Sequence, residues 1–303
     1  MANTKYLTMI KILVTGAGGQ LAGELKEVAK QFDGMEFRFF NRQELDILNE
    51  KALEQISGKF QPDILINCAA YTAVDKAEQE QDLCYRINTA ACQALVNVFE
   101  GSLTKIIHFS SDYVYHTCAG QPLTEDCPTE PQSIYAKTKL EGEKILIESD
   151  VPSLIIRTSW VYAPSGTNFL QNMLRLAESK DVLSVVYDQI GTPTYAMDLA
   201  KATLSIIQEV YEHPEKLSEF NTVYNYSNEG VTSWYDFATF IFKMTGQKTL
   251  VRPITSNQYP TLAKRPNWSL MSKNKIKEAF NLDIPHWYDA LGRCLNRMNI
   301  VRN

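Results

Sequence analysis

"ILVTGAGGQLAGEL", residues 12–25, passes from an apolar, β-branched run through a cluster of glycines into a helical pattern. A buried strand, a tight turn and a helix N-terminus read this way. In that order, backbone N–H groups and the first helical turn can hold a pyrophosphate. Gly16 suits the turn and Gly19 a close approach of backbone to phosphate, with Ala22 as the third small position. Gly18 and Gly23 leave other alignments open. Gln20 and Leu21 complete the expected dinucleotide contacts at this turn. A glycine pattern alone is weak evidence; its place after the first strand of a βαβ chain is what points to a dinucleotide.

Outward from this turn, strand-like and helix-like segments alternate. "MEFRFF" (35–40), "PDILINCAA" (62–70), "KIIHFSS" (105–111) and "SLIIRTSW" (153–160) read as strands. Between them, residues 20–31, 47–57, 78–100 and 132–149 carry helical spacing. The expectation is an α/β protein, a doubly wound parallel sheet of Rossmann type with a smaller C-terminal substrate lobe. After Trp160 the rhythm changes. Residues 168–178, 192–212, 233–246, 272–280 and 283–299 read as helices, with Pro193 in a first turn and Gly246 at a C-terminus, and 222–228 as a strand. The dinucleotide-binding domain is expected over 9–158, with 193–226 returning to it. The substrate lobe then takes 159–192 and 227–303.

The chain has 303 residues, 45% hydrophobic and 21% charged, an ordinary globular composition. A net charge of -5 argues against a nucleic-acid partner but leaves room for an anionic ligand at a local site. No apolar run approaches the roughly 20 residues that span a bilayer. Residues 1–8 read as an extension without a signal-peptide core, so a cytoplasmic location and reduced cysteines are expected. The six cysteines include no C-x-x-C, and the four histidines are scattered, so no metal site is expected.

"FFNRQELDIL" (39–48) follows the second strand, where an acid would hold the ribose 2′-hydroxyl of NAD. Asn41 stands there instead, and Arg42 suits a 2′-phosphate. NADPH is therefore expected, with NADH as the alternative. Asp46 and Ile47 border the adenine in this reading.

"SIYAKTK" (133–139) sets Tyr135 and Lys139 one helical turn apart, on one face. A phenol keeps its proton to about pH 10, and a nearby ammonium lowers that value, which would tune a proton donor toward neutrality. "FSSDYVY" (109–115) ends the fourth strand, at the carboxyl edge where open α/β sheets bind ligands. A serine there can donate to a carbonyl oxygen as charge develops on it.

The glycine turn, "NCAAYTAVDKAE" (67–78), "FSSDYVY" and "YAKTKLEGE" (135–143) together resemble the extended short-chain dehydrogenase/reductase family. "IIRTSWVYA" (155–163), "NFLQNML" (168–174), "VVYDQIGTPTYAMDLA" (185–200) and "AKRPNWSLMSKNKI" (263–276) are similar to its dTDP-4-dehydrorhamnose reductases, over nearly the whole chain from Met9. The resemblance implies Tyr135 as the proton donor to a sugar C4 oxygen, Lys139 as its partner and ribose ligand, and Ser111 on the ketone. It also implies Ala69, Ala70 and Tyr71 against the cofactor. A dTDP-sugar substrate would meet Asp112, Tyr113, Trp160, Asn168, Gln189 and Arg265. A homodimer is compatible with it. Departures from the family pattern stand at His116-Thr117, Ala136 and Thr138. Two other readings remain: a different nucleotide-sugar ketoreductase, and a non-catalytic subunit like the regulatory subunit of methionine adenosyltransferase.

Overall fold

The computed structural model describes residues 9–115 and 120–301. The extension 1–8, the His116-Thr117 departure and Cys118 lie outside the described residues. Strands β1 (Ile10–Thr15), β2 (Met35–Phe40), β3 (Ile64–Asn67), β4 (Lys105–Ser111) and β5 (Ser153–Thr158) alternate with helices. These are α1 (Gln20–Val28), α2 (Glu50–Phe60), the run α3 (Val74–Ala77), α4 (Gln81–Tyr85) and α5 (Ala91–Phe99), and α6 (Ile134–Ile147). Then follow β6 (Val161–Tyr162), α7 (Phe169–Ala177), β7 (Val182–Val186), β8 (Ile190–Gly191), β9 (Thr194–Tyr195), α8 (Ala196–Glu212) and β10 (Thr222–Tyr226). The chain continues through β11 (Thr232–Ser233), α9 (Trp234–Thr245), β12 (Leu250–Ile254), α10 (Asn274–Phe280) and α11 (Trp287–Arg297).

The main sheet has the order β10-β5-β4-β3-β1-β2, and every pairing is parallel. This is the doubly wound architecture expected from the alternation. Its strands are apolar almost throughout because both faces are covered. Ile12, Val14, Ile64 and Ile66 face α1 and α8, while Leu13, Leu65, Ile106 and Ile155 face the α2–α5–α6 layer. Each such side chain contributes about 1.5–3 kcal/mol by leaving water. The chain order reverses between β1 and β3, where ligands of such sheets bind. A second core of Tyr162, Leu170, Phe237, Ile241, Trp287 and Leu291 holds α7, α9 and α11 together. No described helix is long and apolar enough to cross a membrane.

Three local expectations change, and one strand pair had none. The helix read over 78–100 begins at Gln81 and contains a π-turn at Arg86–Ala90. There Asn88 leaves the regular pattern: its side chain bonds Tyr71 N at 2.9 Å, Tyr71 O at 3.2 Å and Thr138 Oγ1 at 3.2 Å. Pro193 does not open a helix; a short strand intervenes and α8 starts at Ala196. The parallel pair β7 and β12 gave no usable pattern, because both have exposed positions and Pro253 sits in an edge strand. Finally, α10 falls in the stretch assigned to the substrate lobe, yet Ile276 and Phe280 pack into the main-sheet core.

The π-turn sets a prediction. A Cβ added at Gly142 on α6 would lie 2.3 Å from the Asn88 carbonyl oxygen. Gly142→Ala should therefore destabilise by about 1–3 kcal/mol as the two helices part. An unchanged thermal midpoint would show that this approach is not tight.

Candidate active site

The glycine turn lies against the end of β3. Gly16 has φ +69°, and a Cβ there would come 2.5 Å from the Ala69 backbone nitrogen. Its glycine is thus required by both backbone angle and the backbone that follows β3. Gly19 caps α1, and no side chain fills the cap. Gly18 and Gly23 meet nothing within 4 Å. An uncapped helix start beside a bare glycine surface fits a pyrophosphate, so the residues present suit a dinucleotide. Gln20 opens α1 and reaches toward the Thr167 carbonyl at 3.3 Å, while Leu21 packs against the core.

Around the adenosine end, Asn41 Oδ1 accepts from Gln43 N at 2.9 Å and shapes the turn after β2. Arg42 is exposed and makes no hydrogen bond or ion pair among the described residues. Asp46 Oδ1 accepts from Leu48 N at 3.0 Å, and Ile47 is buried beside it. Beyond β3, Ala69 is half-buried and Ala70 exposed, while Tyr71 is buried with its hydroxyl donating to Glu80 at 2.6 Å.

The carboxyl end of β4 and the start of α6 bring the expected catalytic groups into one wall. Ser133 caps α6 by accepting from Ala136 N at 3.2 Å, which sets Tyr135 in the first turn. Tyr113 packs edge-on against Tyr135, with ring centroids 5.5 Å apart. Burial pushes the Tyr135 phenol above the usual tyrosine value, and the Ser111 hydroxyl works against that rise. Ser111 Oγ donates to Asp112 Oδ1 at 2.9 Å and accepts from Tyr113 N at 3.2 Å. Asp112 is 2% exposed, and burial pushes its carboxyl up to about 7. Its Oδ2 finds no hydrogen-bond partner among the described residues.

Lys139 corrects the expectation drawn from helical spacing. It is 1% exposed, and its Nζ lies 2.6 Å from Phe109 O and 3.1 Å from His108 Nε2. Burial is the largest influence on the Tyr135 phenol, and it raises it. The pair shares a helix face, but the amine turns under β4 because a backbone carbonyl and an imidazole meet it there. His108 and Asn67 were missed as participants. The signal available was a histidine inside the apolar run "KIIHFSS".

A cleft of about 660 Å³ has a lining that includes Gln189, Ser256, Tyr259, Leu262, Arg265 and Trp268. Gln189 Nε2 donates to Ser256 Oγ at 3.0 Å. Arg265 pairs with Asp75 at 2.6 Å, and its Nε has no partner among the described residues. Trp160 adopts φ +49°, rare for a bulky residue, and stacks on Trp234 with centroids 3.6 Å apart. Gly191 makes this possible: a Cβ there would come 2.9 Å from the Trp160 ring. Trp234 was not anticipated.

Asn168 corrects a second expectation. It is 7% exposed, and its side chain is spent internally. Oδ1 caps α7 by accepting from Gln171 N at 3.0 Å, and Nδ2 donates to Gln20 Oε1 at 2.8 Å and Ala163 O at 3.0 Å. It ties the loop before α7 to the phosphate turn rather than facing the cleft.

The chain is similar to known proteins over nearly its whole length. It is 41% identical over 285 residues to the spore coat polysaccharide biosynthesis protein SpsK of Bacillus subtilis, covering 93% of this chain and 96% of the relative. A dTDP-4-dehydrorhamnose reductase from Clostridium acetobutylicum superposes with TM-score 0.88 at 36% identity, covering 96% of this chain and 100% of that one. Another from Bacillus anthracis, solved in complex with NADP, gives TM-score 0.86 at 33% identity, covering 95% and 99%. The family model described as the RmlD substrate binding domain matches residues 10–300, and the chain belongs to that family.

Proposed function

We propose that the protein reduces the C4 ketone of dTDP-4-dehydro-L-rhamnose to dTDP-L-rhamnose with NADPH. The observation that carries this reading is Ser111 at the carboxyl end of β4 meeting Tyr135 in the first turn of α6, with Lys139 buried under the same strand. The similarity to dTDP-4-dehydrorhamnose reductases supports it.

NADPH held at the glycine turn would supply the hydride for the sugar C4. Tyr135 donates its phenolic proton to the C4 oxygen as charge grows there. Burial keeps that phenol protonated through neutral pH, the state a donor needs. Ser111 orients the same oxygen through its hydroxyl. With Asp112 raised to about 7, a protonated carboxyl can donate to Ser111 Oγ and free the serine proton for the ketone. Trp160 gives an aromatic wall, and Arg265 in the cleft lining supplies a cation for an anionic group, its charge shared with Asp75. Gly16, Gly19, Gln20, Leu21, Asp46, Ile47, Ala69, Ala70 and Tyr71 line the cofactor side in this reading.

The test follows NADPH absorbance with the keto sugar made in situ by the preceding dehydratase and epimerase. Oxidation should require the epimerase step, and the sugar phosphate without its nucleotide should be a poor substrate, since remote binding energy orients the reacting centre. NADPH loss that ignores the epimerase would leave a ketoreductase for a different nucleotide sugar. No loss with any dTDP-4-keto sugar would favour the non-catalytic reading.

Cofactor choice gives a separate prediction. A charge-assisted bond from Arg42 to a 2′-phosphate contributes about 1.5–3 kcal/mol, or roughly one to two decades in affinity. Arg42→Ala should weaken NADPH by that factor and leave NADH unchanged. Equal losses for both, or none, would remove Arg42 from the site.

A further inference from the structure

His108 sits in the middle of β4, 1% exposed, with no place in the reduction described above. Its surroundings determine where its proton lies. Thr15 Oγ1 donates to Asn67 Oδ1 at 2.8 Å, and the Ala69 backbone N–H reaches the same oxygen at 3.2 Å. A backbone N–H is always a donor, so this oxygen is the acceptor and the amide orientation follows. Asn67 Nδ2 then donates to His108 Nδ1 at 3.0 Å. Burial holds His108 well below the ordinary histidine value, so the ring is neutral. A neutral ring that accepts at Nδ1 carries its one proton at Nε2.

That Nε2 lies 3.1 Å from Lys139 Nζ. An ammonium has three donors and no acceptor, so an N–H would face an N–H. A neutral amine has a lone pair: it accepts from His108 Nε2 and donates to Phe109 O, 2.6 Å away. Every hydrogen bond in the line from Thr15 to Phe109 is then satisfied.

Around Lys139 burial is the largest influence and disfavours the ammonium, while Cys92, Glu143 and Cys84 act against it. Cys84 on α4 and Cys92 on α5 are thiols, which burial pushes above their usual value. Tyr135, one turn earlier on α6, is a buried phenol. Glu143, one turn later, is taken by Arg157 from β5, with Nε 3.0 Å from Oε1 and Nη2 2.6 Å from Oε2. No carboxylate hydrogen-bonds Lys139 among the described residues. Burial lowers its proton affinity from the ordinary lysine value of 10.5.

We infer that His108 is a positioning residue that holds Lys139 as a neutral amine in the free protein, and that Lys139 takes up a proton from solvent when the dinucleotide binds. The second half rests on the dinucleotide reading of the site. Ribose hydroxyl oxygens offer Nζ new acceptors, and the pyrophosphate adds negative charge, so the ammonium is favoured in the complex. Binding is then linked to one proton. Affinity is independent of pH below the lysine value of the free protein, and falls as pH rises from there toward the higher value of the complex.

The free half is read from the long-range proton–nitrogen NMR spectrum of the full chain labelled at its four histidines, with His108 assigned through His108→Phe. A proton on Nε2 is expected; a proton on Nδ1 overturns the proposal. The bound half is read by calorimetry with NADH, which lacks the titrating 2′-phosphate, in two buffers of different ionisation enthalpy. Binding enthalpies should differ in the sense of proton uptake, and Kd should rise by up to about tenfold per pH unit within the window. His108→Phe should flatten that slope, and His108→Gln, whose amide N–H can still donate to Nζ, should keep most of it. Binding with equal enthalpies and a flat Kd from about pH 6 to about pH 9 overturns the coupling. No binding of NADH or NADPH overturns the dinucleotide reading and the coupling with it, while the imidazole spectrum still decides the role of His108.

Discussion

Tyr135→Phe is expected to lower kcat by about 10²–10⁴-fold, the usual contribution of a positioned general acid. The ring survives the change, so its edge-on packing with Tyr113 at 5.5 Å and the α6 cap at Ser133 should persist. Dinucleotide affinity should therefore stay within a few-fold, and the loss should fall on turnover rather than KM. Such a split marks an interaction made chiefly in the transition state. The phenol is raised by burial, so the wild-type protein should not lose its donor through tyrosine ionisation anywhere near neutral pH. Turnover within about threefold of wild type in Tyr135→Phe would remove the residue from the mechanism. The measurement is steady-state NADPH oxidation at saturating keto sugar.

Glu143→Ala should produce the largest loss of stability, about 3–5 kcal/mol. Glu143 and Arg157 have side chains only 2% and 6% exposed and meet through three hydrogen bonds of 2.6–3.1 Å. Arg157 Nη1 also donates to Tyr115 OH at 2.7 Å. Removing the carboxylate strands a guanidinium in the core, and the cost of that unpaired charge exceeds the worth of the intact pair. A loss of this size is a large part of the total for a typical domain, about 5–15 kcal/mol. Glu143→Leu combined with Arg157→Met should recover most of it, because the double change buries no charge. Urea midpoints measure both. A single variant within about 0.5 kcal/mol of wild type would mean that water reaches the pair.

Much of the fold is legible in local patterns. A parallel strand covered on both faces must be apolar at nearly every position, so "KILVT" and "DILIN" announce themselves from a few neighbours. The alternation with helical spacing then leaves few topologies, and the six-strand sheet is among them. Short exposed strands such as β7 and β12 lack that constraint. β7 alternates between water and core, β12 has no fully buried position, and each is completed by a partner far along the chain.

What the sequence by itself determined is therefore the doubly wound sheet, the phosphate turn between β1 and α1, and the placing of Tyr135 and Lys139 on one helix face. All three follow from spacing within a single element or turn, where the backbone period dictates which side chains are neighbours. Only the tertiary structure decided what those groups touch. Lys139 meets His108 and Phe109 rather than Tyr135, Asn168 is consumed by Gln20 and the α7 cap, and Trp160 stacks on Trp234 across the lobe. Even Gly16 is required as much by Ala69, just beyond β3, as by its own turn. The physical reason is common to these cases. A buried donor or a flat ring takes whichever partner packing brings within reach, and that partner comes from a strand or helix whose distance in space no local period encodes.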